Sequence, residues 1–377
     1  MSELLVVAGE ASGDRAAAAV LARLPGVQAF GLGGPALAGA GAELVGDIRS
    51  STALGIGEAA ARAGSVLRAW MRVERAARSR RPRAALLVNY SEFNGRLAPA
   101  LHRLGVRVLW YGAPQVWAWR PGRIPSLRRC IDRMAVVLPF EEELWRSSGV
   151  DAHYVGHPAL DAPQLDREAA RATLDMTRTA TTVAVLPGSR PHEVRSLLLP
   201  MLDAYEAVRF DRASVDARVL VAASLDGRTR DWVRDACALR RVGTFDVDPR
   251  GGIMPVLRAF DAALCASGTA SLEAALSGAI PVVAYRVGLA TELTARAFVR
   301  TPHYALPNVL LGRPEFAELL QRDARADRLA RALADAIDRR PAVLAACAEL
   351  ERLLGKHRTA SLTVARMLEP WLGARAA

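Results

Sequence analysis

Residues 261–286, DAALCASGTASLEAALSGAIPVVAYR, limit what this chain can fold into more tightly than any other stretch. The apolar run 262–266 stops at Ser267-Gly268-Thr269, a small-residue helix follows and ends at Gly278, and a β-rich run occupies 281–285. The pattern predicts a β-α-β unit. Its turn puts flexible backbone and two hydroxyls where a helix opens, a place whose unpaired N–H groups and dipole favour an anion. Glu273, four residues after Thr269, shares that helix face and suits a pair of sugar hydroxyls. One reading is a diphosphate at the helix start with a ribose on Glu273. The other is a capped crossover whose glutamate complements the dipole.

Strand-turn-helix units recur on both sides of a weakly periodic stretch at about 158–175, rich in Pro, Asp and Ala, where a domain boundary is expected. Before it, strands are predicted at 4–8, 28–32, 84–88, 106–111 and 134–138; after it, at 182–186, 218–222, 262–266 and 281–285. Several helical segments close the chain. With 377 residues, of which 51% are hydrophobic, two packed domains are expected and disorder is excluded. The segments assigned are 1–165, 166–345 and a C-terminal helical piece, 346–377.

No apolar run is long enough to span a bilayer, and the chain enters its first strand without a signal peptide's basic start, so a cytoplasmic location is expected. Cys130, Cys237, Cys265 and Cys347 are far apart in apolar surroundings and read as core residues, not as a disulfide frame or a zinc site. The net charge of +11 points to a polyanionic partner: nucleic acid, an anionic membrane surface or a phosphorylated substrate. The cations are scattered arginines, Lys356 being the only lysine, and no nucleic-acid motif accompanies them.

Candidate site residues cluster at the ends of predicted strands, where α/β folds place their ligands. Glu10, Ser12 and Asp14 follow the first strand; two carboxylates repel a pyrophosphate and suit sugar hydroxyls, while Ser12 and Asp14 also read as helix N-caps. The loop 89–94, NYSEFN, follows the strand 84–88. The segment 112–123 carries Trp117, Trp119, Arg120 and Arg123, with Arg128 and Arg129 beyond, a cationic patch suited to a phosphate. Gly188, Ser189 and Arg190 repeat the anion-favouring opening, and Asn308 and Arg313 are further ligand candidates. On the helix over 55–75, Ala63, Val66, Leu67, Trp70 and Met71 make an apolar stripe beside Arg68, Arg72 and Arg75, a pattern of either a core-facing helix or one lying on an anionic membrane.

Taken in order, A-G-E-A-S-G-D at 8–14, V-W-A-W-R at 116–120, P-F-E at 139–141, G-H-P at 156–158, L-P-G-S-R at 186–190, A-S-G-T-A at 266–270 with Glu273, A-Y-R at 284–286, L-P-N at 306–308 and G-R at 312–313 resemble the lipid-A-disaccharide synthase family nearly end to end. The resemblance implies an α/β chain of two Rossmann-like domains of GT-B type, facing each other across a cleft, with C-terminal helices. It implies a metal-free, cofactor-free inverting glycosyltransferase that joins UDP-2,3-diacylglucosamine to 2,3-diacylglucosamine 1-phosphate, releasing UDP, in lipid A and lipopolysaccharide biosynthesis. On this reading Gly188, Ser189, Arg190, Ser267, Gly268, Thr269, Glu273, Asn308 and Arg313 hold the nucleotide, and Glu10, Ser12, Asp14, Trp117, Arg120 and Arg123 hold the acceptor. Peripheral attachment to the inner membrane and a homodimer are also implied.

One departure bears on the chemistry. Where the family reads Asp-x-Pro-Asp-Phe-Asn, with the first Asp as candidate base, this chain has Asn89, and Glu92 stands at the second Asp. A neutral amide cannot accept the proton of the attacking hydroxyl, so Glu92 is expected to be the base and Asn89 to orient the hydroxyl. The alternatives are a homologue that binds nucleotide sugar without transferring it, which Asn89 favours, and a UDP-sugar 2-epimerase, which the V-W-A-W-R element disfavours.

Overall fold

The computed structural model describes residues 3–47, 58–118, 120–212, 214–286, 301–355 and 359–373, and only the backbone of 58–63. The sequence also predicts a helix around 291–299 and an alanine-rich start, 57–63, to the helix over 55–75; these lie outside the described residues or their side chains. In chain order the first elements are β1 Glu3–Ala8, α1 Ala11–Leu21, β2 Gln28–Gly33, α2 Pro35–Gly39, β3 Glu43–Asp47, α3 Glu58–Arg80, β4 Ala84–Val88, α4 Ser91–Arg103, β5 Arg107–Tyr111, α5 Ile124–Arg128, β6 Arg133–Val136, α6 Pro139–Ser147 and β7 Ala152–Tyr154. Then come α7 Arg167–Thr173, β8 Thr181–Leu186, α8 Pro191–Asp211, β9 Val215–Val221, α9 Gly227–Leu239, β10 Gly243–Asp246, α10 Met254–Leu257, β11 Ala262–Ala266, α11 Thr269–Leu276, β12 Ile280–Tyr285, α12 Leu306–Leu311, β13 Glu318–Leu320, α13 Ala326–Asp338, α14 Arg340–Leu353 and α15 Ala360–Leu372.

Two compact units result: Met1–Asp161 with Leu354–Ala377, and Ala162–Leu353. The first holds a seven-stranded sheet in the order β3-β2-β1-β4-β5-β6-β7, the second a six-stranded one in the order β10-β9-β8-β11-β12-β13. Every pairing is parallel. Both sheets reverse their strand order once, between β1 and β4 and between β8 and β11, and a doubly wound fold opens its binding crevice at such a point.

The central strands are continuous apolar runs because helices cover both faces. Along β1, Leu5 and Val7 pack under α3 and α4, while Leu4, Val6 and Ala8 turn to the face of α1 and α15. Helix α15 is tied there by the Asp161 carboxylate, which accepts the N–H groups of Ala360 and Ser361 at 2.9 and 2.7 Å. Its Val364, Leu368 and Leu372 are buried, each worth about 1.5–3 kcal/mol against exposure. The stripe on α3 divides: Val66 and Trp70 pack on the core beside buried Ala69, Val73 and Ala77, whereas Leu67 and Met71 are 55% and 48% exposed on the side of Arg68, Arg72 and Arg75.

In the second unit Arg171 of α7, 4% exposed, is the peg under the sheet. Its guanidinium donates to the carbonyls of Ala259 (3.1 Å), Thr177 (3.2 Å), Ala180 (3.0 Å) and Arg178, to the Thr182 hydroxyl (3.1 Å) and to Asp261 (3.3 Å). Asp261 in turn accepts from the Thr182 N–H and from Arg167, joining the starts of β8 and β11. Replacing Arg171 by Leu strands these buried acceptors. The expected loss is about 3–5 kcal/mol, read as a lower denaturant midpoint for the second unit.

Candidate active site

In the second unit the turns after β8 and β11 leave neighbouring strands, paired up to Leu186 and Cys265, so the two anion-favouring openings lie side by side. They differ in occupancy. At the start of α11, Gly268 has φ 155, no N-cap side chain bonds to the helix, and a β-carbon placed on Gly268 would meet nothing within 4 Å. Ser267 donates its N–H to Ala284 (3.1 Å), Ser271 returns its hydroxyl to the Gly268 carbonyl (2.8 Å), and Glu273 is buried one turn in. Burial first, then the charge of Glu273, pushes the Cys265 thiol up.

At the start of α8 the chain supplies its own anion. Glu193 accepts the N–H groups of Ser189 (3.2 Å) and Arg190 (3.3 Å) and the Arg190 guanidinium (2.9 Å). The anion-favouring opening expected at residues 188–190 thus already holds a carboxylate of the chain. The glutamate three residues after Arg190, which reaches back to the N–H groups at the helix start, was the missed signal. Tyr285 lies close, its phenol pushed up by burial first and Glu193 second, and Arg286 donates to the Ser196 carbonyl (3.2 Å), so the A-Y-R end of β12 borders the same opening.

In the first unit the turns after β1 and β4 touch. Asn89 and Tyr90 are both left-handed, φ 48 and 43, a conformation that non-glycine residues keep only under constraint. The Asn94 amide supplies it, donating to the carbonyls of Asn89 (2.9 Å) and Val88 (3.4 Å). The turn is received by glycines. A β-carbon at Gly9 would lie 2.0 Å from the Tyr90 ring, and one at Gly112 would lie 2.0 Å from Asn89 Oδ1. Asn89 is therefore lodged between Gly112 and the Gly13 side of α1.

Glu92 stands in the first turn of α4, half exposed, and accepts from Arg120 (3.1 Å) and Arg123 (2.8 Å). These arginines come together as expected, but as partners of the carboxylate and not as a bare cationic patch. Trp117 donates to Glu141 (3.0 Å) and meets the Phe140 ring edge-on at 5.2 Å, which joins the V-W-A-W-R and P-F-E segments. Trp119 lies outside the described residues. Glu10 is exposed and Ser12 half-buried at the opening of α1.

Three candidates are engaged elsewhere. Asp14, 2% exposed, accepts the N–H groups of Gly34 (2.7 Å), Ala36 (2.9 Å) and Leu37 (3.2 Å), so it caps α2 and not a sugar. Asn308, fully buried, donates to the Phe316 carbonyl (2.8 Å) and Glu318 (2.7 Å) and accepts the Phe316 N–H (2.9 Å), which spends its hydrogen bonds on the link from α12 to β13. Arg313 forks onto Glu349 of α14 at 3.0 and 2.7 Å and reaches Glu315 at 3.1 Å.

Two doubly wound parallel-sheet units, each with loop-and-helix openings at its strand-order reversal, make the GT-B fold, which glycosyltransferases share with UDP-sugar 2-epimerases. The fold of a solved spinosyn rhamnosyltransferase matches with TM-score 0.60 at 16% identity over 98% of this chain and all of that one. A Neisseria meningitidis UDP-GlcNAc 2-epimerase bound to UDP-GlcNAc matches with TM-score 0.64 at 10% identity over 97% of this chain and all of that one, a likeness of fold alone. The model of the lipid-A-disaccharide synthetase family covers residues 4–363. The lipid-A-disaccharide synthase of Anaeromyxobacter dehalogenans is 40% identical over 97% of this chain and 92% of its own length. The chain belongs to the lipid-A-disaccharide synthase family.

Two buried groups in the first unit oppose each other in acid. Burial pushes Glu141 from 4.5 up to about 7, against the pull of its bonds from Trp117 and Leu138. Burial also pulls His157 from 6.5 down to about 4, and its Nδ1 accepts the Ala159 N–H at 3.2 Å. The carboxyl stabilises the fold fully below about pH 4.5 and loses that as the pH climbs to about 7; the imidazole contributes above about 6.5 and loses it as the pH falls toward 4. Urea midpoints measured across this range test the pair. The stability of Glu141→Gln relative to the unsubstituted protein should rise by about 1–3 kcal/mol between pH 4.5 and 7.

Proposed function

We propose that this chain transfers 2,3-diacylglucosamine from its UDP donor to the 6-hydroxyl of 2,3-diacylglucosamine 1-phosphate, giving the β-1,6-linked disaccharide 1-phosphate and UDP. Membership of the family carries this reading, since the match runs through nearly the whole chain. The second unit, 166–345 in the sequence division, takes the donor. Residues 188–190 and 267–269 receive the diphosphate, and Glu273 lies one turn along the helix, in reach of the ribose. The first unit, assigned as 1–165 in the sequence division, takes the phosphosugar with Glu10, Ser12, Trp117 and the arginines at 120 and 123.

The acceptor oxygen forms its bond to the donor's anomeric carbon as the bond to phosphate breaks, with inversion. Negative charge grows on the leaving diphosphate, and backbone N–H groups at the helix openings, with Arg190, offset it without a metal ion. Glu92 takes the hydroxyl proton. Arg120 and Arg123, in contact with Glu92, take the acceptor's 1-phosphate on this reading. Asn89, held in its glycine notch, orients the hydroxyl through its amide. The engagement of Glu92 by two arginines favours a second reading, a nucleotide-sugar binder without transfer.

On this reading the protein works as a peripheral protein at the cytoplasmic face of the inner membrane and pairs as a homodimer. No helix among the described residues is long and apolar enough to cross a membrane. Exposed Leu67 and Met71 beside Arg68, Arg72 and Arg75 give α3 the apolar-plus-cationic face that such attachment needs.

UDP release and disaccharide formation, followed with both lipid substrates, test the chemistry. Glu92→Gln should lower turnover by about 10²–10⁴-fold, and near-normal turnover would remove Glu92 from the role. Asn89→Asp should raise a slow rate; a chain that binds UDP-sugar yet forms no disaccharide under any of these conditions is the binder. Flotation with anionic vesicles tests the surface: Leu67→Glu with Met71→Glu should release the protein, and unchanged flotation would assign attachment elsewhere.

A further inference from the structure

The loop that carries Arg120 and Arg123 is anchored upstream of them. The Gly112 N–H donates to the Ala135 carbonyl (2.9 Å), the Gly112 carbonyl accepts from Trp110 Nε1 (3.1 Å), and Val116 is buried. Trp117 then donates its indole N–H to Glu141 Oε1 at 3.0 Å and meets the Phe140 ring edge-on. Arg120 follows three residues later in the left-handed conformation, φ 55, and its carbonyl accepts the Arg123 N–H at 3.2 Å. The indole anchor thus sits one short step before the arginines. Glu141 itself is 1% exposed, and its second oxygen accepts the Leu138 N–H at 3.3 Å. The Leu138 bond is local and serves the start of α6. The Trp117 bond spans 24 residues and serves the loop, and of the bonds that hold the carboxylate's charge against desolvation it is foremost.

We propose that Glu141 is a positioning residue for the acceptor's phosphate: through the Trp117 indole it fixes the loop whose Arg120 and Arg123 take that phosphate. The inference rests on the reading that these arginines receive the acceptor's 1-phosphate. It commits the indole N–H of Trp117 to the protein, so that what Trp117 offers the acceptor is its ring. An arginine fork binds a phosphate through N–H groups of fixed direction, and a loop displaced by about an ångström loses that alignment. Both arginines also have to leave or share Glu92 to take the phosphate, and a loop pinned at Trp117 keeps them at the site while they do so. A carboxylate suits the task because a charged acceptor holds an indole N–H more firmly than a neutral one.

Equilibrium binding to the full chain in detergent micelles tests this with two probes, 2,3-diacylglucosamine 1-phosphate and 2,3-diacylglucosamine without the phosphate. The variants are Glu141→Gln, Trp117→Phe, the two combined, and Arg120→Gln with Arg123→Gln. Glu141→Gln should weaken the phosphorylated probe about tenfold and the other by less than about twofold, and in the transfer assay the acceptor's KM should rise with kcat little changed. Trp117→Phe keeps a ring against Phe140 and lacks the N–H, so it should reproduce the same selective loss. The combined variant should lose no more than either alone, since both substitutions remove one bond. Trp117→Phe carries the test if the Gln variant melts at a much lower temperature. Equal losses for the two probes, losses that add in the combined variant, or no loss in Trp117→Phe overturn the inference and leave Glu141 as a residue that holds the start of α6. The arginine pair separates that failure from the other one. If Arg120→Gln with Arg123→Gln binds the phosphorylated probe as tightly as the unsubstituted protein, the phosphate reading of the arginines is itself wrong.

Discussion

Backbone N–H groups that open a helix have no partner inside it, and the structure depends on what takes them. Carboxylates do so repeatedly. Asp14 reaches twenty residues ahead to α2, Asp161 reaches across the chain to α15, and Glu318 takes the N–H groups of Tyr304 and Ala305 ahead of α12. Asp166 and Asp226 cap α7 and α9 locally, and Glu141 and Glu193 reach back to accept the N–H groups of Leu138 and Arg190 at the starts of α6 and α8. Each bond satisfies a donor that would otherwise be desolvated at a cost of about 1–3 kcal/mol. The same donors are the ones an anionic ligand needs. An opening bordered by open space, as at Gly268, therefore means something different from one already closed by an acid.

The first unit handles its reactive edge by steric fit. Two consecutive left-handed residues, Asn89 and Tyr90, cost conformational energy that the Asn94 amide, the stacked Tyr90 and Phe93 rings at 5.0 Å, and the receiving glycines offset together. The result is a turn that leaves Asn89 little freedom and sets Glu92 in the first turn of α4 against Arg120 and Arg123. The proposed base and the proposed phosphate ligands already touch, so on that reading acceptor binding has to rearrange their pairing. An acidic loop and a basic loop meet here for reasons of charge as well as of chemistry.

How much of this was legible varies with position in the sheet. The central strands β1, β4, β8 and β11 stand out as apolar runs because both faces and both edges are covered, and their predicted bounds agree with the structure to within a residue or two. The strands β3, β10 and β13 lie at sheet edges, are only partly buried, and carry Glu43, Asp47, Asp246 and Glu318, so no periodicity marks them. The glycine turns were legible as turns, since Gly188 and Gly268 have φ values that other residues rarely adopt. Asp14 and Asn308 read as ligand contacts because a polar residue in a loop carries no sign of whether its partner is a substrate or a backbone group.

The amino-acid sequence alone determined the family, the two parallel strand-turn-helix units and which loops lie at the strand ends, because those follow from local periodicity and from motif order along the chain. Only the tertiary structure decided where the acids are used. Asp14 meets Gly34, Arg313 meets Glu349, and Arg120 and Arg123 meet Glu92 through strand order and helix packing, which bring together residues 20 to 36 positions apart. Whether a carboxylate is free for chemistry or held as a cap is set by those neighbours, and a hydrogen bond depends on distances of a few tenths of an ångström that no spacing in the chain encodes.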